Sequence, residues 1–397
     1  ASPYGNDAAF RYHPADAAHW PLQPPPAGSQ LVVNDGFPDA RLAPLGAWVR
    51  ECRSVIESPR YHQLLMYGHA AGSEALRAEM VKYLTGTRGL SIDVTNIMIT
   101  RGAQMAIYLA AAMIVKKDDY VIVGGPNYFF ADMCFEQLGA RLLRVPVDAE
   151  GIDVDAVAEL CAGKKIRMLY IITHHHHPTT VTLSAARRMK LLGIIRKYKL
   201  PVIEDDYDYD FHYSSAPILP LASADHGGNV IYIGSLTKSL GLSIRIGFMI
   251  APGSFITAAA KLRRLMDLRG DNLSEQALAN LLADGTIERH LKKSNKIYKE
   301  RRDLLCRLLT EQLGNAVQFT VPPGGMAIWL RFSRKISLKK VAAKAAVLGL
   351  QMSNGEQYSY GTAPQNALRF GFASLNNKEI VAAVGVLERI FSSTGLK

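Results

Sequence analysis

Short apolar runs alternate with segments of helical periodicity along most of the chain. The apolar runs lie at residues 97–99, 120–123, 142–147, 168–172, 202–203, 230–233 and 248–250. Between Ser73 and Leu84 the apolar positions instead recur at the spacing of one helix face, and the apolar stretch at 106–115 predicts a buried helix. Short strands that alternate with helices predict an α/β fold with a mostly parallel sheet.

The two ends of the chain follow other patterns. Four prolines lie between residues 21 and 26, which disfavours helix and predicts an extended arm or linker. A long helix is predicted from Ser274 through the charged segment 297–311, joining a large domain to a smaller C-terminal one. A chain of 397 residues suits such a pair of domains better than one small core.

Composition and charge narrow the class of protein. Hydrophobic residues make up 48% and charged residues 20%, as in ordinary globular proteins, and the apolar stretch at 106–115 is too short to cross a bilayer. Four cysteines without CxxC spacing argue against a disulfide framework or a structural zinc site and are compatible with the cytoplasm. The net charge of +11 is dispersed in short basic pairs, which favours a solvated surface that attracts anionic ligands; a polyanion partner is the alternative.

Lys238 stands in a segment rich in glycine and hydroxyl groups, between the predicted strands at 230–233 and 248–250. A lysine amine can form a Schiff base with an aldehyde cofactor. The hydroxyls of Ser235 and Thr237 and the guanidinium of Arg245 are groups that hold a phosphate. The alternative is a basic surface loop.

Asp205 lies where the apolar run at 202–203 gives way to acidic residues. Ligands gather at the carboxyl ends of parallel strands. A carboxylate at such an end can pair with the protonated ring nitrogen of pyridoxal 5'-phosphate (PLP). The alternatives for the acidic segment 204–208 are a loop of solvated acids or a metal site.

Several motifs occur in a fixed order along the chain, at residues 67–72, 100–104, 204–208, 235–247, 276–279, 288–291 and 368–372. Together they resemble the class I/II aminotransferases, which are PLP enzymes of fold type I. They are most similar to the aminotransferase-like domain of the MocR subgroup of GntR-type regulators. The resemblance implies a mostly parallel, seven-stranded-type sheet in a large domain at 61–290. It also implies a smaller α+β domain built from 31–60 and 291–397, preceded by the arm at 1–30.

The resemblance implies a role for each motif residue. Lys238 would bind PLP and move the substrate's α-proton, Asp205 would keep the ring nitrogen protonated, and Tyr128 would stack on the ring, with ordinary packing as its alternative. The residues implied to hold the phosphate are Gly102, Ala103 and Gln104 through their N–H groups, Ser235, Thr237 and Arg245 through their side chains, and Tyr67 from a neighbouring subunit. Tyr207, His175 and His177 would contact the ring.

Arg369 takes the position of the family's small-domain arginine, which binds the substrate carboxylate as a bidentate pair. Gly36 is a second candidate for the substrate site. If Arg369 instead lies on an edge strand, it would face water. The arginine implies a substrate with a carboxylate, most simply an amino acid.

Four consecutive histidines, residues 174–177, depart from the family's pattern. His175 matches the family's histidine, and His177 stands where many aminotransferases carry the asparagine that holds the ring oxygen. If the segment is extended, alternate side chains face opposite sides, so two of the four would face the cofactor. A metal site is the alternative to this cofactor-facing pair, and we predict none. Thr180 and Gly125 replace a usual glycine and a usual acidic residue, which leaves the substrate range open.

These observations predict a PLP-dependent aminotransferase acting on an amino acid and a 2-oxo acid. The resemblance implies a homodimer with shared active sites, and we expect a cytoplasmic location and a biosynthetic role. We expect no membrane partner, and no nucleic-acid partner without a winged-helix domain. The alternatives are another PLP reaction (oxidation or deamination, racemisation, lyase or carbon–carbon chemistry) or a non-catalytic effector domain of a MocR-type regulator. The sequence does not indicate the amino donor or acceptor.

Overall fold

The structure is a computed structural model. It describes residues 31–59, 61–64, 66, 68–213, 218–360 and 365–393. The predicted arm at 1–30 and the predicted phosphate ligand Tyr67 lie outside these residues.

Strands and helices alternate through the described part of the chain. The strands are β1 Leu31–Val32, β2 Ile97–Thr100, β3 Tyr120–Gly125, β4 Arg141–Asp148, β5 Gly151–Ile152, β6 Ile166–Ile171, β7 Val202–Asp206, β8 Val230–Ser235, β9 Gly247–Ile250, β10 Val317–Gln318, β11 Ala327–Phe332, β12 Leu350–Gln351 and β13 Ala367–Gly371. The α-helices are α1 Leu45–Glu57, α2 Tyr61–Leu64, α3 Glu74–Arg88, α4 Ala103–Ile114, α5 Phe129–Gln137, α6 Val154–Gly163, α7 Ala185–Tyr198, α8 Thr237–Leu240, α9 Gly253–Arg263, α10 Asn272–Ala283, α11 Thr286–Leu308, α12 Leu338–Val347 and α13 Asn377–Ser393.

The large sheet has the strand order β2-β9-β8-β7-β6-β3-β4-β5. Strands β8, β7, β6, β3 and β4 pair in parallel, while β9 is antiparallel to both of its neighbours. Each of the seven apolar runs in the sequence contributes a strand to this sheet, and the two-residue strand β5 is added at the edge. The prediction of a mostly parallel, seven-stranded-type sheet is therefore confirmed.

Successive side chains along β3 enter different clusters on the two faces of the sheet. Val121 and Val123 pack in the cluster that contains α4, α5 and α9, whereas Ile122 packs with α6 and α7. This period of two, on strands buried on both faces, is why the strands appear in the sequence as continuous apolar runs. Helix α4 is apolar on most sides because it packs between the sheet and neighbouring helices.

A second sheet, β10-β11-β13, is antiparallel and packs with α12 and α13. Strands β1 and β12 pair in parallel, so residues just after the arm are joined to the C-terminal region. This pairing is compatible with the predicted smaller domain of 31–60 and 291–397, whose boundaries remain a prediction.

The predicted single long helix from Ser274 onward is wrong. Helix α10 ends at Ala283 and α11 begins at Thr286, because Gly285 between them has a left-handed φ of 74°. Glycine adopts that conformation without steric cost, so it suits the position that turns the chain between two helices. Within the described residues, we find no helix long and apolar enough to span a bilayer.

Candidate active site

Asp205 lies on β7, beside Ile233 of the neighbouring strand β8. Its carboxylate is 2% exposed, and Oδ2 accepts a hydrogen bond of 2.7 Å from the hydroxyl of Tyr170 on β6. Oδ1 is buried and has no hydrogen-bond partner within the described chain. Burial raises the pKa of Asp205 to about 7, although the Tyr170 hydrogen bond opposes the shift. The carboxylate thus has one oxygen available for a ligand that can donate a proton.

Lys238 lies on the single-turn helix α8, directly after β8. Its Nζ donates a hydrogen bond of 3.1 Å to the carbonyl of Gly36 and lies 4.7 Å from the centre of the Phe37 ring. Burial lowers the pKa of Lys238 to about 8, against the opposing charge of Asp35. A buried amine with a lowered pKa is suited to act as a nucleophile and as a base.

The N-terminus of α4 forms a cradle suited to an anion. Gly102 precedes the helix with φ 78°, and the first N–H groups of a helix lack intrahelical acceptors. A Cβ on Gly102 would lie 2.7 Å from Nη2 of Arg245, so the backbone and the guanidinium approach each other closely. Thr237 adds a buried Oγ1 with no partner among the residues described. Ser235 lies beside it, accepting the Thr237 N–H at 3.2 Å.

Gln104 contributes to this cradle through its backbone. Its Nε2 donates to the carbonyl of Phe130 at 3.3 Å and contacts the Cys134 sulfur at 3.0 Å. The side chain is therefore directed toward α5.

Gly102→Ala should weaken PLP binding by about tenfold or more. The added methyl group would displace the Arg245 guanidinium, and alanine is strained at positive φ. Fluorescence titration with PLP measures the effect. Gly193→Ala in helix α7 is the matched control, because a Cβ there meets no described atom within 4 Å. If Gly102→Ala bound PLP as tightly as this control, the cradle would not be the phosphate site.

Tyr128 directly precedes helix α5, and its ring meets the His177 ring edge-on at 5.1 Å between centres. Burial raises its pKa, with further contributions from the charges of Asp205 and Asp35. The ring thus lies among the other site residues, as stacking on a cofactor ring requires.

Arg369 does not face water, although β13 is the edge strand of its sheet. The residue is 2% exposed. Its Nε donates to the carbonyl of Asp35 at 3.2 Å, Nη1 to the carbonyl of Pro178 at 3.4 Å, and Nη2 to the hydroxyl of Tyr207 at 3.3 Å. These contacts are long, so a stronger acceptor such as a ligand carboxylate can compete for the same donors.

Asp35 is a site residue that the sequence analysis missed. Its Oδ2 lies 2.6 Å from His177 Nε2, its Oδ1 lies 3.5 Å from Arg369 Nε, and the Tyr358 hydroxyl donates to Oδ1. Burial alone would raise the pKa of Asp35, but its interactions with His177 and Arg369 outweigh burial and hold the pKa at about 2. A fixed negative charge therefore lies beside Arg369. The sequence signal was an acid next to the candidate Gly36.

The expectation of an extended histidine segment is wrong. His175 has φ 43°, so the chain turns there, and all four side chains are buried. His174 Nδ1 lies 3.1 Å from Asp206 Oδ2, and His175 Nδ1 lies 2.9 Å from Asp208 Oδ1. His176 Nδ1 lies 2.8 Å from Thr179 Oγ1, and burial lowers its pKa to about 3.

The histidines therefore have different partners, and they do not converge on one point. His177 is the one whose ring meets Tyr128, while the His175 ring packs closely against Gly324. Tyr207 donates its hydroxyl proton to the carbonyl of His175 at 2.9 Å. No set of three or more His, Cys, Asp or Glu residues in the described ranges is placed to hold a metal ion.

The residues around Lys238 fit PLP. Asp205 offers a protonated ring nitrogen an oxygen that has no partner among the described residues. Lys238 offers an aldehyde an amine of lowered pKa. The α4 N-terminus, Arg245 and Thr237 offer donors for a phosphate. Together with the mostly parallel sheet, this site defines the PLP-dependent enzymes of fold type I.

Comparison with known proteins agrees with this class. The model of the family "Aminotransferase class I and II" matches residues 37–387, so the chain belongs to that family and is a PLP-dependent aminotransferase. The aromatic-amino-acid aminotransferase 1 of Thermococcus litoralis is 28% identical over 355 residues, which cover 88% of this chain and 85% of that protein. The probable rhizopine catabolism regulatory protein MocR of Rhizobium meliloti is 24% identical over 367 residues, 91% of this chain and 72% of that protein.

A solved structure is similar over almost the whole chain. The kynurenine aminotransferase of Pyrococcus horikoshii, in complex with PMP, superposes with a TM-score of 0.86 and 27% identity, covering 93% of this chain and 92% of that one. The predicted resemblance to both aminotransferases and MocR-type regulators is confirmed.

Proposed function

We propose that the protein transfers an amino group between an amino acid and a 2-oxo acid, with PLP held on Lys238. The observation that carries the proposal is that three groups lie in one site. They are the Lys238 amine, the Asp205 oxygen that has no partner among the described residues, and the buried Arg369 guanidinium. Similarity to an aromatic-amino-acid aminotransferase and to a kynurenine aminotransferase supports the reaction type.

PLP supplies an aldehyde that condenses with amines and a protonated ring that accepts the electron pair left when a substrate carbon loses a proton. Lys238 Nζ is the amine that would hold the aldehyde of PLP. The same amine, when it is not bonded to the cofactor, would take the α-proton of the substrate and return a proton at the acceptor carbon. Its lowered pKa of about 8 allows it to serve both as base and as acid near neutrality.

Asp205 would hold the proton on the ring nitrogen through Oδ1, which has no partner among the described residues, while Tyr170 fixes the orientation of the carboxylate. The α4 N-terminus, Ser235, Thr237 and Arg245 would bind the phosphate. Tyr128 would limit the motion of the ring by stacking.

Arg369→Ala should weaken the apparent affinity for carboxylate substrates by about tenfold or more, because a charge-assisted bidentate contact is worth about 1.5–3 kcal/mol. PLP absorbance should persist, since the phosphate is held by other residues. Arg331→Ala is the control: Arg331 lies on the adjacent strand β11 and is exposed. Measurements of KM for carboxylate substrates on both variants test whether Arg369 binds the carboxylate. An unchanged KM in Arg369→Ala would assign carboxylate recognition to other groups.

A homodimer with shared active sites is part of the proposal. In the single chain Arg245 is exposed, and exposed apolar side chains at Leu265, Met266 and Leu268 are available for a second copy. Sedimentation analysis should give twice the mass of one chain. A cytoplasmic location is also part of the proposal and is supported by four free thiols in the described chain. A biosynthetic role completes the proposal.

The test is incubation of the PLP-loaded protein with a panel of amino acids, with and without 2-oxo acids. Transfer predicts one oxo acid formed for each amino acceptor consumed, as measured by mass spectrometry. Oxygen consumption, or product formed without an acceptor, would instead identify one of the other PLP reactions. A PLP-loaded protein that forms no product from any amino acid would favour a regulatory effector domain.

A further inference from the structure

Buried His177 and half-buried Asp35 form a pair beside Arg369 that the proposed reaction does not use. His177 Nε2 lies 2.6 Å from Asp35 Oδ2, and the imidazole is 6% exposed. An ionised carboxylate only accepts hydrogen bonds, so the proton between the two groups belongs to Nε2. A neutral imidazole carries one N–H, and the contact with Asp35 therefore fixes its tautomer.

The other ring nitrogen, Nδ1, is left as an acceptor. It is buried and receives no hydrogen bond from any described residue. Burial and the positive charges of Arg369 and Lys238 lower the pKa of His177 and so oppose protonation of Nδ1. The carboxylate of Asp35 raises that pKa but does not outweigh burial. A buried acceptor without a donor is destabilising, and a ligand with a suitable donor would remove that cost.

The surroundings of the ring locate this acceptor within the active site. The centre of the imidazole lies 5.1 Å from that of Tyr128, the stacking candidate, and 6.0 Å from that of Tyr358. Arg369 and Lys238 offer only donors, and the hydroxyl proton of Tyr207 is already donated to the His175 carbonyl. His177 Nδ1 is thus a proton acceptor among groups that mainly donate.

We propose that the Asp35–His177 pair presents this acceptor to the bound ligand and selects a ligand group that carries a proton. The group is a hydroxyl or ammonium, supplied either by the ring hydroxyl of PLP or by the substrate. The inference rests on the proposed function, since it takes PLP and an amino acid as the ligands. An asparagine at position 177 would offer a donor as well as an acceptor. Asp35 acts through His177 and is a positioning residue.

Asp35→Asn tests the tautomer. The oxygen of the new amide would keep accepting from the Tyr358 hydroxyl, so its NH2 group faces Nε2 and donates to it. The imidazole proton then moves to Nδ1, which converts the acceptor into a donor. Histidine-selective nitrogen NMR of the full chain, with His177→Asn to assign the signal, should find the proton on Nε2 in the wild type and on Nδ1 in Asp35→Asn. The control is Asp118→Asn, whose surface carboxylate pairs with Arg141. A proton on Nδ1 in the wild type, or the same tautomer in Asp35→Asn, would overturn the inference.

Two binding measurements distinguish the source of the donor. Absorbance of bound PLP reports whether its ring hydroxyl keeps its proton; if PLP is the source, the hydroxyl-protonated band should dominate in the wild type and decrease in Asp35→Asn. If the substrate is the source, 3-phenyllactate should bind the PLP-loaded wild type roughly fivefold or more tightly than 3-phenylpropionate, and Asp35→Asn should remove that preference. If neither changes in Asp35→Asn, the pair selects no ligand proton and the inference is wrong.

These outcomes are separable from failure of the proposed function. The tautomer is measured on the protein itself, and the probes are not turned over. A wild type that forms no oxo acid contradicts amino-group transfer, whatever the tautomer of His177. A wild type that transfers amino groups, while Asp35→Asn leaves the tautomer and both binding measurements unchanged, contradicts only the role of the pair.

Discussion

Lys238→Ala should reduce amino-group transfer by roughly 10⁴-fold or more, because the change removes both the nucleophile that holds the cofactor and the base that moves the α-proton. The protein should still fold, since alanine is compatible with the short helix α8. Steady-state formation of oxo acid measures the loss. Borohydride reduction of the PLP-loaded protein, followed by peptide mapping, should place the cofactor on Lys238 in the wild type and on no peptide in the variant.

Lys261→Ala is the matched control, since Lys261 lies on helix α9 with its side chain exposed. Its rate should equal that of the wild type. Covalent PLP in Lys238→Ala, attached to another lysine with the rate preserved, would show that Lys238 is not the anchoring residue. Loss of the rate with unchanged covalent PLP would separate anchoring from proton transfer.

The large sheet was predictable because its strands are buried on both faces. Each strand appears as an apolar run, so periodicity locates it, but periodicity does not define where it ends. Strand β7 extends from Val202 to Asp206, three residues beyond the predicted apolar run at 202–203, because polar groups at its carboxyl end serve the site. The break at Gly285 was missed since helical periodicity continues across it in α11.

The site was predictable where its residues follow strands and missed where distant segments meet. Lys238 and Asp205 lie at strand ends, a position that the order of residues reveals. Asp35 is defined by partners 142 and 323 residues away, His177 and Tyr358, so neither spacing nor motif points to it. The histidine run was misread because positive φ at a histidine is uncommon, and the alternation rule holds only for an extended chain.

Asp205→Asn should lower the rate roughly 100-fold or more while stabilising the ligand-free protein above neutrality. The amide keeps the Tyr170 hydrogen bond but carries no charge to hold the proton on the ring nitrogen. Kinetic assays on the PLP-loaded variant measure this loss. Asp148→Asn, which alters an exposed carboxylate on β4, is the control and should retain the wild-type rate.

The effect on stability follows from the raised pKa of Asp205, which is about 7 in the folded protein against an ordinary pKa of 3.8. The folded state then binds this proton more tightly than the unfolded state, so stability falls as pH rises from about 4 through about 7. The amide removes that dependence. Ligand-free Asp205→Asn should therefore exceed the wild type by roughly 1–4 kcal/mol near pH 8, with the difference shrinking toward pH 4. Urea unfolding at both pH values measures it, and a variant less stable than the wild type near pH 8 would show that the buried carboxylate is ionised without cost.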